Sequence, residues 1–156
     1  MSGQFENILP GNSDTLLTIS SFGNMLYQAR GLTQTLSVIG AATQLERTIN
    51  GNLIDLSAAQ FRKYASKVTS PNDVNSPPLD GVFPGMQVTV QCAVGLSYLT
   101  SGGNGPNHRN EVSGSVYTDG LYTFYRPELV MLVRSVETTF EEWKNIVGWA
   151  LELEEV

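Results

Sequence analysis

"ERTINGNLIDLS", residues 46–57, places two short apolar–polar stretches on either side of Asn50-Gly51, and its reading decides how the chain folds. Asn-Gly is the dipeptide best able to take positive φ at both centre positions of a type I′ turn. The stretch therefore predicts a hairpin, with Leu45 to Ile49 as one strand and Leu53 to Leu56 as the other. A second hairpin signal, Asp119-Gly120, interrupts the β-rich run "VSGSVYTDGLYTFYRPELVMLVRSVETTF" at 112–140.

Downstream of the first hairpin the expected pattern changes. Ser57 stands where a helix N-cap would, with Gln60 three residues later as the other half of a capping box. Phe61, Tyr64, Ala65 and Val68 follow at i, i+3, i+4 and i+7, the stripe of one short helix. Arg62, Lys63 and Lys67 lie off that stripe. The stretch 70–85 holds four prolines and two glycines, which predicts a long ordered loop or spacer.

Alternation marks the remaining elements. "DTLLTIS" (14–20) and "LTQTLSVIG" (32–40) read as strands. "MQVTVQCAVGLSYLT" (86–100) reads as one long strand, with Val88, Val90, Cys92 and Val94 on one face and Gly95 as a bulge candidate. Pro127 gives no ladder donor, so its strand belongs at an edge or a break. "EEWKN" is compatible with a single helical turn, and Val147, Trp149, Leu151 and Leu153 then alternate with Gly148, Ala150, Glu152 and Glu154. The sum is seven to nine strands and one short helix: a mainly β chain, an antiparallel β-sandwich or β-barrel with long loops. Residues 1–13 are expected to form a flexible arm ahead of a single domain at 14–156.

Composition narrows the function classes. The 156 residues are 41% hydrophobic and only 15% charged, against a usual quarter charged. A surface so poor in ionised groups suits a protein that spends its life against other protein. The net charge of −6 opposes a general affinity for nucleic acid, which needs clustered positive charge. No run approaches a membrane span, and the start "MSGQFENILPG" lacks the pattern of a signal peptide. With a single cysteine, Cys92, no internal disulfide is possible. These features lead to the expectation of synthesis in a reducing cytoplasm.

Catalytic chemistry finds little to work with. One His and one Cys, sixteen residues apart, do not make a zinc site. Asp73 and Asp80 are candidate calcium ligands, but without EF-hand spacing they read better as turn formers. His108 is the only histidine, and its Gly/Asn-rich loop offers no obvious group to orient it. "SGGNGPN" lacks the Lys-Ser/Thr of a phosphate-binding loop. Six of the fifteen acids fall between Glu137 and Glu155, but adjacent acids diverge on either a strand or a helix and make poor dyads. No cofactor, metal or catalytic residue is therefore assigned. The candidate interface residues are Arg62, Lys63 and Lys67 in one segment and Glu152, Glu154 and Glu155 in another, with the acidic segment of a neighbouring copy as complement to the basic one. Tyr117, Tyr122, Tyr125 and Trp143 are the candidates for a carbohydrate platform, against the blander reading that strand aromatics are core.

Five stretches resemble the small virion structural proteins of tailed bacteriophages: "ARGLTQTL" (29–36), "ERTINGNLIDLS" with "FRKY" (61–64), "PPLDGVFPGMQVTVQC" (77–92), "FYRPELVMLV" (124–133) and "VGWALELEEV" (147–156). The resemblance implies a β-rich, non-enzymatic subunit packed in many copies into a tail, connector or capsid. Its expected partners are other copies of itself and other virion proteins; no membrane partner is expected, and the net charge of −6 disfavours direct nucleic-acid binding. Its expected location is the virion, after assembly in the bacterial host cytoplasm. A capsid cement protein and a carbohydrate- or receptor-binding β module are the alternatives.

Overall fold

Strand alternation prevails over the helical stripe in the segment that follows the first hairpin. The computed structural model describes residues 16–20, 23–24, 32–39, 45–56, 62–73, 76–103 and 109–156. There, Tyr64–Asp73 is a ten-residue strand, and the described residues contain no helix. Ser66, Val68 and Ser70 point inward and are buried, while Lys67 between them faces solvent. Of the predicted stripe, Tyr64 and Val68 fit a period of two as well as one of 3.6, and pairing on both flanks decides between them. Ser57, Gln60 and Phe61, the rest of the predicted helix, lie outside the described residues, as does the predicted arm at 1–13.

Thirteen strands are described. In chain order they are β1 Thr18–Ile19, β2 Gly23–Asn24, β3 Thr33–Val38, β4 Leu45–Arg47, β5 Leu53–Asp55, β6 Tyr64–Asp73 and β7 Gln87–Gln91. Then follow β8 Leu96–Leu99, β9 Asn110–Glu111, β10 Tyr117–Asp119, β11 Tyr122–Tyr125, β12 Pro127–Glu141 and β13 Ile146–Glu155. The main sheet is antiparallel and curled, in the order β2-β1-β7-β12-β13-β6-β3, with β9 on β12. A three-stranded sheet runs β10-β11-β8, and β4-β5 stands apart as a two-stranded ribbon.

The core lies on the inner face of the main sheet. Leu17 and Ile19 from β1 and its lead-in meet Val88 and Val90 of β7, Leu129, Met131 and Val133 of β12, and Leu151 and Leu153 of β13. Curling brings β3, at one end of the sheet, close to the chain leaving β7. There Gln34 gives its amide to Ser66 Oγ at 3.0 Å, and its Oε1 accepts the backbone N–H of Ala93 at 2.7 Å. One side chain thus satisfies backbone donors that no neighbouring strand reaches.

Four further sequence expectations are revised. The run 86–100 is two strands in different sheets, β7 and β8. The break falls at 92–95, where Cys92 donates its N–H to Pro127 O instead. The first hairpin is present, but its turn is wider than a type I′ pair. Thr48 and Asn52 close it, Gly51 N–H donates to Thr48 O, and only Gly51, not Asn50, has positive φ. That is a type I turn followed by a left-handed glycine. The second turn centres on Gly120-Leu121, since Asp119 pairs with Tyr122. "EEWKN" forms no helical turn: Glu141 pairs with Ile146, and Asn145 at φ 54° closes the loop between β12 and β13.

Two prolines inside strands sit where the ladder is already broken. Pro127 opens β12 as the chain crosses from the three-stranded sheet into the main one. Pro71 lies in β6 where the register slips against β13, between Val147 and Trp149. The strand therefore extends to Asp73, into the stretch expected to be loop.

Candidate interaction surface

The outer face of the main sheet is a lattice of charges and hydroxyls. Register places Thr35, Lys67, Glu152 and Ser135 in one row across β3, β6, β13 and β12. Lys67 Nζ lies 3.6 Å from Glu152, and Arg134 pairs with Glu154. Thr35, Ser37, Lys67, Arg134, Glu152 and Glu154 line a shallow groove of about 430 Å³. Both pairs are about half exposed, so each contributes little, on the order of 0–1 kcal/mol. The basic and acidic segments singled out in the sequence thus meet within one chain, at Lys67–Glu152.

The other candidates fall elsewhere. Arg62 lies 3.9 Å from Asp55 of the hairpin. Lys63 is half-buried and its carbonyl accepts the N–H of Ile39. Glu155 is not a surface acid: its side chain is only 9% exposed. Its Oε1 lies 2.7 Å from Arg109 Nε, while Oε2 accepts from Arg109 Nη2 and from the backbone N–H of Tyr64. Arg109 also donates to Arg62 O and lies over the Tyr64 ring at 5.5 Å. This latch ties the loop ahead of β9 to the start of β6. Composition hid it, because Arg109 is embedded in a glycine- and asparagine-rich stretch that reads as a solvated loop. A charged residue between loop and strand, 46 positions from its acid, gives no local signal.

Titratable groups in the interior are structural. Burial pushes the Cys92 thiol up to about 11, which keeps it neutral and unreactive at ordinary pH. Burial likewise raises Tyr125 and lowers Arg126. Arg126 donates to the carbonyls of Leu16 and Cys92, joining β1 to the crossing between the two sheets. Asp73, the calcium candidate, is buried and already accepts from Ser70 Oγ at 2.7 Å and from the Trp149 indole N–H. Asp80 is exposed. Among the described residues, no three His, Cys, Asp or Glu side chains gather as a metal site. His108 lies outside the described residues.

Three groups stand out among the exposed large apolar side chains. The β4-β5 ribbon presents Leu45, Ile49, Leu53, Ile54 and Leu56. The outer face of the three-stranded sheet presents Tyr117, Tyr122 and Leu99, with Leu121 in its turn. Tyr117 stacks on Phe124 at 5.0 Å, and Tyr122 tilts against the same ring at 6.4 Å. Tyr125, the third strand tyrosine considered for a sugar platform, is buried on the opposite face. At the tip of the β12-β13 hairpin, Trp143 is 95% exposed beside Phe140. No described helix is long and apolar enough to cross a membrane. Comparison with protein families, curated proteins and solved structures gives no match.

Proposed function

We propose that this chain is a non-enzymatic structural component of a tailed bacteriophage virion, acting through repeated protein–protein contacts, in the tail or connector in preference to the capsid. The observation that carries the reading is the β4-β5 ribbon, where five large aliphatic side chains stand exposed on an isolated two-stranded element. Such a ribbon is marginal in water by itself, and its apolar surface is best explained by a covering protein. The sequence resemblance supports the choice of particle. In this reading the curled main sheet and its three-stranded companion work together as a β-sandwich or barrel, a rigid body from which the ribbon projects.

Sedimentation of the purified chain, alone and with particles, tests the proposal. Self-association and co-sedimentation are the expected results; a chain that remains monomeric and ignores particles overturns it. Imaging of labelled protein separates a tail position from that of a capsid cement protein at symmetry axes.

The exposed Tyr117 and Tyr122 favour one other reading, a carbohydrate- or receptor-binding module. Glycan binding that vanishes in Tyr122→Ala supports that reading against the structural one.

A further inference from the structure

The ribbon's two faces differ in a way that points to its partner. Register puts Leu45, Arg47, Leu53 and Asp55 on one face, with Glu46 and Ile54 on the other and Ile49 at the tip. The aromatic face of the three-stranded sheet has a matching layout. Tyr117, Asp119, Tyr122 and Phe124 share one side, and Leu121 occupies the turn just beyond Asp119. Each surface therefore carries a charge next to its turn and a bare aliphatic side chain at the tip, and the charges are opposite.

We infer that the β4-β5 ribbon of one copy lies on the β10-β11-β8 aromatic face of a second copy, with Arg47 against Asp119 and Ile49 beside Leu121. The inference rests on the reading of the chain as a subunit that works among copies of itself. Aliphatic side chains of the ribbon fill the spaces over the Tyr117 and Tyr122 rings, and the ion pair fixes register where both turns meet. Donor and acceptor surfaces are different parts of the same chain, so the contact is head-to-tail. Repetition then builds a ring if the rotation closes and a filament if it does not.

Size sets how strong one contact is. A contact between a two-stranded ribbon and one face of a three-stranded sheet belongs at the small end of the range, where pairs burying less than ~1,200 Å² are transient. A single contact is accordingly weak. Several copies held by one assembly reinforce each other by effective concentration, without any new interaction. Such a subunit associates weakly and reversibly while free and becomes fixed once neighbours are in place.

Two variants of the full chain that each add one cysteine, Ile49→Cys and Leu121→Cys, test the pairing. Cys92 is buried and its thiol is raised to about 11, so it stays silent under mild oxidation at pH 8. Mixing the variants at high concentration is expected to give a disulfide-linked dimer several-fold above the yield of either variant alone. Asp119→Arg is expected to weaken self-association about tenfold in sedimentation, and adding Arg47→Asp to the same chain restores it. Equal cross-linking of Ile49→Cys with itself, or no rescue by the charge swap, overturns the inference. Glycan binding at Tyr122 that leaves self-association unchanged also overturns it. If the wild-type chain self-associates and joins particles while both tests fail, only this pairing is wrong. If it does neither, the structural function falls as well.

Discussion

The four central strands of the main sheet and the β4-β5 ribbon use the same vocabulary of Leu, Ile and Val, yet they stand in opposite states. In β12, Leu129, Met131 and Val133 are essentially inaccessible, while in the ribbon Leu45 and Leu53 remain more than half exposed. The difference is in the neighbours. β12 is paired on both sides and covered from within, whereas among the described residues β4 and β5 pair only with each other. Apolar pattern therefore marks what a strand needs to bury, and the tertiary fold decides whether this chain or another supplies the cover.

The sharpest way to break the comparison is to truncate one leucine from each region. Leu151→Ala is expected to cost about 3 kcal/mol, because its buried site leaves a cavity the rigid sheet fills poorly. Urea unfolding of the monomer reads this out, and a loss below about 1 kcal/mol means the inner face is not the core.

A pH scan sharpens the same contrast through Cys92. Below pH 9 the thiol is neutral folded or unfolded, and stability is complete. Between pH 9 and about 11 the unfolded chain ionises first, so stability falls, by about 2–3 kcal/mol for a shift of this size. Cys92→Ala removes that part of the alkaline loss. Tyr125, also raised by burial, leaves a residual slope at higher pH.

Arg109→Ala addresses the latch between loop and sheet. It leaves Glu155 with only the Tyr64 N–H among the bonds described above, and the expected cost is about 2 kcal/mol. Faster amide exchange at Tyr64 accompanies it; unchanged exchange there means that Arg109 does not hold the strand start.

Gly148→Ala is smaller again, about 1–2 kcal/mol. A Cβ at that position meets Thr139 Oγ1 at 2.7 Å and Pro71 O at 3.4 Å, so the β12-β13-β6 contact must open slightly. The smallest effect belongs to the ribbon. Leu53→Ser is expected to change monomer stability by no more than about 0.5 kcal/mol. A large loss there means the ribbon is already buried by its own chain, and the contrast between the regions disappears.

How far the sequence foretold these regions follows from the range of the forces involved. Turn chemistry is local, so Asn50-Gly51 and Asp119-Gly120 both announced hairpins, although each turn is centred differently from the expected pair. Period-two burial in β13 was equally plain, from Val147 to Leu153. At 64–68 the pattern fitted two periods at once, and the deciding term was pairing with β3 and β13, which no local window contains. The run 86–100 was continuous in hydrophobicity, but the switch between sheets at Cys92 depends on Pro127 and Gln34. The charged candidates show the same limit. Lys67 and Glu152 do meet, but through strand register, and Arg109–Glu155 is a long-range pair inside an unpromising loop.

The position of β13 has a consequence for how the protein comes into being. Though late in the chain, it sits between β12 and β6 and is the seam that joins the two halves of the main sheet. A nascent polypeptide synthesised only as far as Glu141 can make the β7–β12 and β3–β6 pairs, but among the described residues no strand pairing joins them. The main sheet therefore closes only when residues 146–155 emerge, and until then Val68 and Val133 lack their β13 neighbours Leu151 and Leu153. Translational pausing near that site would prolong a sticky half-built species, which makes chaperone demand a direct outcome of strand order.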